Sequence, residues 1–183
     1  DDPEATPAQL LKVVKGPDPA DVGSCTGGAE DVSSRDSITS PAIKLPAGPS
    51  PRLSFEHYVA TEYGYDGGNV KISIGGKPFE VIPTKAYVFN APGATMEPAP
   101  GNTSPLAGEE GFTGTDGGEN NGSWGTSIVD LKKAGATPGK NIRIRFDMGR
   151  DGCGGLDGWY VDNVEVSICK AKTLTNAKPG DRV

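Results

Sequence analysis

Through the middle of the chain apolar and polar positions alternate with a period of two, the mark of strands that bury one face. Val70, Ile72 and Ile74 share one side of such a segment. Ile142, Ile144, Phe146 and Met148 form a longer row, opposite Arg143, Arg145 and Asp147. Leu53 and Phe55 begin a third row that is less clean beyond His57. β-branched and aromatic residues extend the pattern, which predicts strands over 37–45, 52–60, 69–74, 79–89, 124–128, 141–148 and 159–168. In the last of these, Tyr160, Asp162, Val164, Val166 and Ile168 do not make one apolar face.

Turn chemistry separates the segments. Pro46-Ala47-Gly48-Pro49, Asp66-Gly67-Gly68-Asn69 and Gly75-Gly76-Lys77-Pro78 are built from the residues that tight turns select. Residues 91–111 read as a long loop, and 129–134 as a short turn of helix or 3₁₀. One helical signal precedes the strands: Thr6 as N-cap, Pro7 at the first position, Gln9 at the third and Gly16-Pro17 as a stop predict a short helix over 6–15. About seven or eight strands with polar turns predict an all-β fold, an antiparallel jelly-roll β-sandwich with long Gly/Pro-rich loops and at most one or two short helices. The expected organisation is a loop-rich segment over 1–36, the sandwich over 37–169 and a polar linker over 170–183.

Composition sharpens this reading. Gly and Pro account for 43 of 183 residues, which argues against a helical bundle and makes the core lean. No run approaches the ~18 apolar residues of a membrane span. The formal charge is −6 and no block of basic residues occurs, so a nucleic-acid partner has nothing to neutralise its phosphates.

Three cysteines, Cys25, Cys153 and Cys169, allow one disulfide. Cys153 and Cys169 flank an extended segment roughly 33 Å long, too far for a bridge between them. Cys25 paired with Cys169 is the preferred disulfide, since an early segment of a sandwich often meets its last strand. Three reduced, buried thiols are the alternative. The chain opens Asp1-Asp2-Pro3-Glu4, with no initiator Met and no leader, and reads as a processed product or a piece of something longer.

The histidine count removes several chemistries. His57 is the single histidine, so a His-Glu-x-x-His zinc site is impossible. No Gly-x-Ser-x-Gly elbow accompanies it, and its place inside a strand suits a sheet residue better than a base. Nothing singles out a carboxylate pair for glycoside hydrolysis. Oxygen chemistry is better represented. Acidic residues gather in glycine-rich loops at Glu62 and Asp66, at Asp116 and Glu119, and at Asp151 and Asp157, while Asp162 interrupts an otherwise apolar strand. A strand-interior carboxylate needs a partner, because desolvating it alone costs several kcal/mol. Ca²⁺ takes 6–8 oxygens from such groups, and a set drawn from different loops (Glu62, Asp66, Asp151, Asp157 and Asp162) is the candidate site. The competing readings are turn-forming Asp residues, and Asp162 bonded to loop amides or to an arginine.

An ordered series of motifs then points to a family. Ser40-Pro41-Ala42-Ile43-Lys44-Leu45-Pro46, Leu53-Ser54-Phe55-Glu56-His57-Tyr58-Val59-Ala60-Thr61-Glu62 and Tyr65-Asp66-Gly67-Gly68-Asn69-Val70 resemble the accessory domain of secreted bacterial metalloproteases of the fungalysin type. Leu106-Ala107-Gly108, Phe112-Thr113-Gly114, Gly122-Ser123-Trp124, the run from Arg145 to Gly155 and Gly158-Trp159-Tyr160-Val161-Asp162-Asn163-Val164 continue the resemblance. More loosely, the chain is similar to the final segments of immune inhibitor A and to MAM-like jelly rolls. The resemblance covers roughly 36–169. It implies an extracellular jelly roll that holds structural Ca²⁺ and belongs to a larger protein whose zinc-binding part is absent here.

Two functions follow as expectations. The first is a non-catalytic accessory or targeting domain whose partners are the parent protease's catalytic domain or an extracellular protein or glycan. The second is a carbohydrate-binding module with an aromatic platform drawn from Trp124, Trp159, Tyr63 and Tyr65, against which stands burial of both tryptophans in a thin core.

Overall fold

A computed structural model describes residues 11–14, 33–45, 47–116, 121–152 and 156–168. The alternating segments become antiparallel strands in two packed sheets. The first sheet runs β1 (Leu11–Val14), β12 (Gly158–Ile168), β4 (Pro51–Ala60), β10 (Trp124–Asp130) and β7 (Tyr87–Phe89). The second runs β2 (Ser34–Thr39), β11 (Asn141–Arg150), β5 (Gly67–Ile74) and β6 (Glu80–Val81), with β3 (Ile43–Lys44) also paired to β11. A short ribbon joins β8 (Ala94–Thr95) to β9 (Glu110–Gly111). Apart from the short extra strands, the orders 1-12-4-10 and 2-11-5-6 are those of a jelly roll, the chain crossing between sheets so that early and late strands interleave.

The core is the sum of the apolar rows. Ile142, Ile144, Phe146 and Met148 of β11 lie in register with Ile74, Ile72, Val70 and Gly68 of β5. They face Leu53, Phe55 and Trp159 of the opposite sheet within one buried cluster. Trp159 has no exposed surface, and its six-membered ring occupies the space that a side chain at Gly68 would need. Burying each such side chain contributes about 1.5–3 kcal/mol. Phe55 meets Phe146 edge-on at 5.3 Å, the arrangement that ring quadrupoles favour.

β5 is buried on both faces because the 96–111 segment covers the outside of its sheet. Leu106 and Ser104 pack over Gly149. Beneath that cover Lys71 pairs with Glu109 (2.7 Å) and Asp147 (3.2 Å), and Arg145 also reaches Asp147 (2.8 Å). Asp147 is fully buried, so these cations offset its desolvation.

Local expectations are corrected in four places. Leu11–Val14 is a strand and not part of a helix, because a β-branched run gains ladder bonds on the open edge of β12. Residues 79–89 are not one strand: Pro83 has no N–H for a ladder, and a 3₁₀ turn at Thr84–Ala86 divides β6 from β7. The expected helical turn at 129–134 is instead the end of β10 followed by a hydrogen-bonded turn that closes from Ala134 N–H to the Asp130 carbonyl. The 37–45 segment splits into β2 and β3. Cys25, Cys153 and Cys169, and with them the Cys25–Cys169 pairing, lie outside the described residues, as does the 170–183 linker. No described helix is long and apolar enough to cross a membrane.

Candidate metal centre and its surroundings

Where β4 ends, Thr61 to Asp66 make a tight loop. The N–H groups of Tyr65 and Asp66 both donate to the Glu62 carbonyl, and Gly64 supplies the left-handed residue (φ 82°) that lets the chain reverse. Thr113 braces this loop: its hydroxyl lies 2.6 Å from the Asp66 carbonyl and 3.2 Å from that of Glu62, and accepts the Gly64 N–H. Asn102 ties down the carbonyls of Gly64 and Tyr65 from the covering segment. At the end of β11, Asp151 is placed by its own N–H, which donates to Asp66 Oδ1 at 2.9 Å. The hydroxyls of Ser33 and Thr103 hold its carbonyl.

This architecture brings Glu62, Asp66 and Asp151 together, each offering a carboxylate oxygen within 4.8 Å of the others. Asp66 and Asp151 are buried and Glu62 is half-buried. Burial pushes the Asp66 carboxyl up from 3.8 to about 7, and the charges of Asp151 and Glu62 push the same way, while the Asp151 N–H and Arg150 pull back. Glu62 is raised by burial and then by Asp151. Three acids in one buried place form a set of hard oxygen donors suited to a cation such as Ca²⁺ and poorly suited to softer metals.

The other two carboxylates of the five-residue set lie elsewhere. Asp157 accepts the Tyr160 hydroxyl proton at 2.8 Å. Asp162 is buried, and its Oδ1 accepts the N–H of Asn163 at 2.7 Å, inside a bulge where Asn163 adopts φ 48°. Its partner is thus a backbone amide of the bulge it stabilises. Thr113, Asn102 and Thr103 were not singled out from the sequence, since hydroxyl and amide braces carry no spacing signature.

The four candidate platform aromatics are also dispersed. Trp159 is in the core. Tyr63 (70% exposed) and Tyr65 (36%) sit on the acidic loop. Trp124 (46%) stands on the outer face of the first sheet, where its neighbour is Tyr58 at 6.2 Å, followed by Tyr160 at 5.7 Å from Tyr58. Cross-strand register creates that row, as Trp124 and Tyr160 both pair with Tyr58.

His57 belongs to a separate buried network. Trp159 Nε1–H can only donate, so His57 Nδ1, 3.1 Å away, accepts. A neutral imidazole then carries its proton on Nε2, which donates to Ser127 Oγ at 2.9 Å, and Ser127 in turn donates to the Asn90 carbonyl at 2.7 Å. Burial lowers the His57 pKa from 6.5 to about 4, so the ring is neutral near pH 7. With Nδ1 committed and Nε2 protonated, this imidazole has no lone pair with which to activate Ser127.

No family model matches this chain, and no match is found among curated proteins.

Proposed function

We propose that the chain is a non-catalytic accessory or targeting domain of a secreted metalloprotease, stabilised by Ca²⁺ held on Glu62, Asp66 and Asp151. The observation that carries the reading is the convergence of those three carboxylates from two separate loops into a braced, largely buried place. Uncompensated, they repel one another, and a divalent cation both pairs their charge and ties the β4–β5 turn to the end of β11. The family resemblance of residues 36–169 supports the accessory role and the extracellular setting, where free Ca²⁺ suffices for sites of modest affinity. The His57 tautomer supports the non-catalytic part. The partners in this reading are the parent enzyme's catalytic domain and an extracellular protein or glycan.

Calorimetric melting of the chain in excess CaCl₂ and in excess chelator tests the cation. A ligand that binds only the native state adds about 2.7 kcal/mol at a hundredfold excess over Kd, and each kcal/mol raises Tm by about 2–4 °C in a chain of this size. Calcium is therefore expected to raise Tm by roughly 5–10 °C. Superimposable curves, with metal removal verified, overturn the reading.

A further inference from the structure

Between the two sheets, at the end where the 90–93 and 112–116 loops approach the start of β10, the fold leaves a cavity of about 240 Å³. Its deep wall is made by His57 and Phe112, whose rings meet steeply (65°) with centroids 4.5 Å apart. Asn90, Thr115, Asp116 and Ser123 line it as well.

The opening has a cause in the sequence. Gly125 pairs with His57 across β10 and β4, at a position where a side chain would point into the space. A Cβ built there meets nothing nearer than Asn90 Nδ2 at 3.5 Å. Gly93 and Gly114 also lie on the rim. The polar lining is held in place. Asp116 receives the Ser123 N–H at 2.6 Å and the Ser123 hydroxyl at 2.9 Å. Asn90 sits in the left-handed region (φ 46°), which an asparagine tolerates at a cost, and in that conformation its carbonyl anchors Ser127 while its amide lies 3.3 Å from His57 Nε2. Such strain persists where surrounding structure or a ligand compensates it.

The chemistry of the lining selects the ligand. Neither Lys nor Arg is among the described lining residues, so an anion would meet the Asp116 charge with no cation to oppose it. A hydrocarbon would desolvate Asp116 and Asn90 without replacing the hydrogen bonds they lose to water. A neutral, polyhydroxylated ring meets both demands. Its hydroxyls bond to a carboxylate, an amide and Thr115, and its C–H face packs on Phe112. The volume lies below the range of about 300–1,000 Å³ typical of drug-sized ligands, which suits a single ring. We infer that this cavity is a sugar-binding site that accepts one pyranose unit, free or at the end of a glycan chain. The inference is independent of the cation, although Thr113 touches both places.

His57 is the single histidine, so its imidazole resonances report on the cavity without assignment of the rest. The full chain would be titrated by NMR with D-glucose, D-galactose, D-mannose and N-acetyl-D-glucosamine, and with short oligosaccharides of each, in calcium and again in chelator. At least one of these sugars is expected to shift the His57 signals saturably in calcium. Gly125→Val, which fills the space without a backbone clash, should abolish the shift, and Asp116→Asn should weaken binding about tenfold. Trp124→Ala, on the other face of the sheet, should leave it unchanged. The proposal is overturned if no sugar in the panel shifts His57 at millimolar concentration. It is equally overturned if inorganic phosphate shifts His57 and no sugar does, or if Trp124→Ala abolishes binding while Gly125→Val and Asp116→Asn retain it. Loss of the calcium effect on Tm with sugar binding intact would refute the cation and leave this site standing.

Discussion

Asp66→Asn separates the charge of the acid cluster from its shape. The amide oxygen can still accept the Asp151 N–H, which lies 2.9 Å from Oδ1 in the wild type, but the charge is gone. In the absence of metal the wild-type carboxyl is raised from 3.8 to about 7, chiefly by burial. The native state therefore holds a proton that the unfolded chain releases between those two values. Asp66 imposes no penalty below pH 3.8, and stability is lost as pH rises through 7. A rise of about three units corresponds to about 4 kcal/mol at pH 8. At 2–4 °C per kcal/mol, Asp66→Asn in chelator should melt about 10 °C above the wild type at pH 8, the advantage vanishing near pH 4. Calcium changes the comparison. At about a thousandfold excess over Kd the wild type regains about 4 kcal/mol, whereas the variant, with one of three carboxylates neutralised, gains little. The gap closes. The assay is thermal unfolding of both proteins at pH 8 and pH 4, with CaCl₂ and with chelator. A variant that melts below the wild type in chelator at pH 8 would show that the Asp66 charge is favourable without a cation. A gap indifferent to calcium would refute the metal.

Two further outcomes follow from the core. His57 is neutral in the native state, its pKa lowered from 6.5 to about 4 by burial, so its contribution is complete above pH 6.5 and lost as pH falls to 4, about 3 kcal/mol in all. In calcium, urea midpoints at pH 7, 5 and 4 should fall more steeply for the wild type than for His57→Gln, and parallel slopes would be inconsistent with a buried neutral imidazole. Gly68→Ala drives a methyl group into the Trp159 ring and should destabilise the chain by about 3 kcal/mol, whereas Gly93→Ala, with open space around it, should change little. Equal melting temperatures for those two variants would mean that the Trp159 ring yields freely.

Much of the fold was legible because strands bury one face at a fixed period. Ile142 to Met148 opposite Arg143, Arg145 and Asp147 is both the sequence pattern and the β11 register against β5. Breaks were harder to read. Pro83 divides a segment whose composition is strand-like throughout, and Leu11–Val14 pairs only because β12 presents a free edge.

The acidic loops show the limit most clearly. Glu62, Asp66, Asp151, Asp157 and Asp162 are alike in sequence, each an acid in or beside a glycine-rich or strand segment. Tertiary structure divided them: three meet where the β4–β5 turn approaches the end of β11, one caps a bulge, and one pairs with a tyrosine. The same division applied to the aromatics, sending Trp159 into the core opposite Gly68 and placing Trp124 beside Tyr58 on the outside. Sequence by itself determined the class of fold, the lean core and the exclusion of a two-histidine zinc site, because period and composition are properties of the chain read locally. Which oxygens converge, and which side chains vanish from solvent, depend on sheet order and register, and those are set only when distant strands pair and bury their apolar faces together.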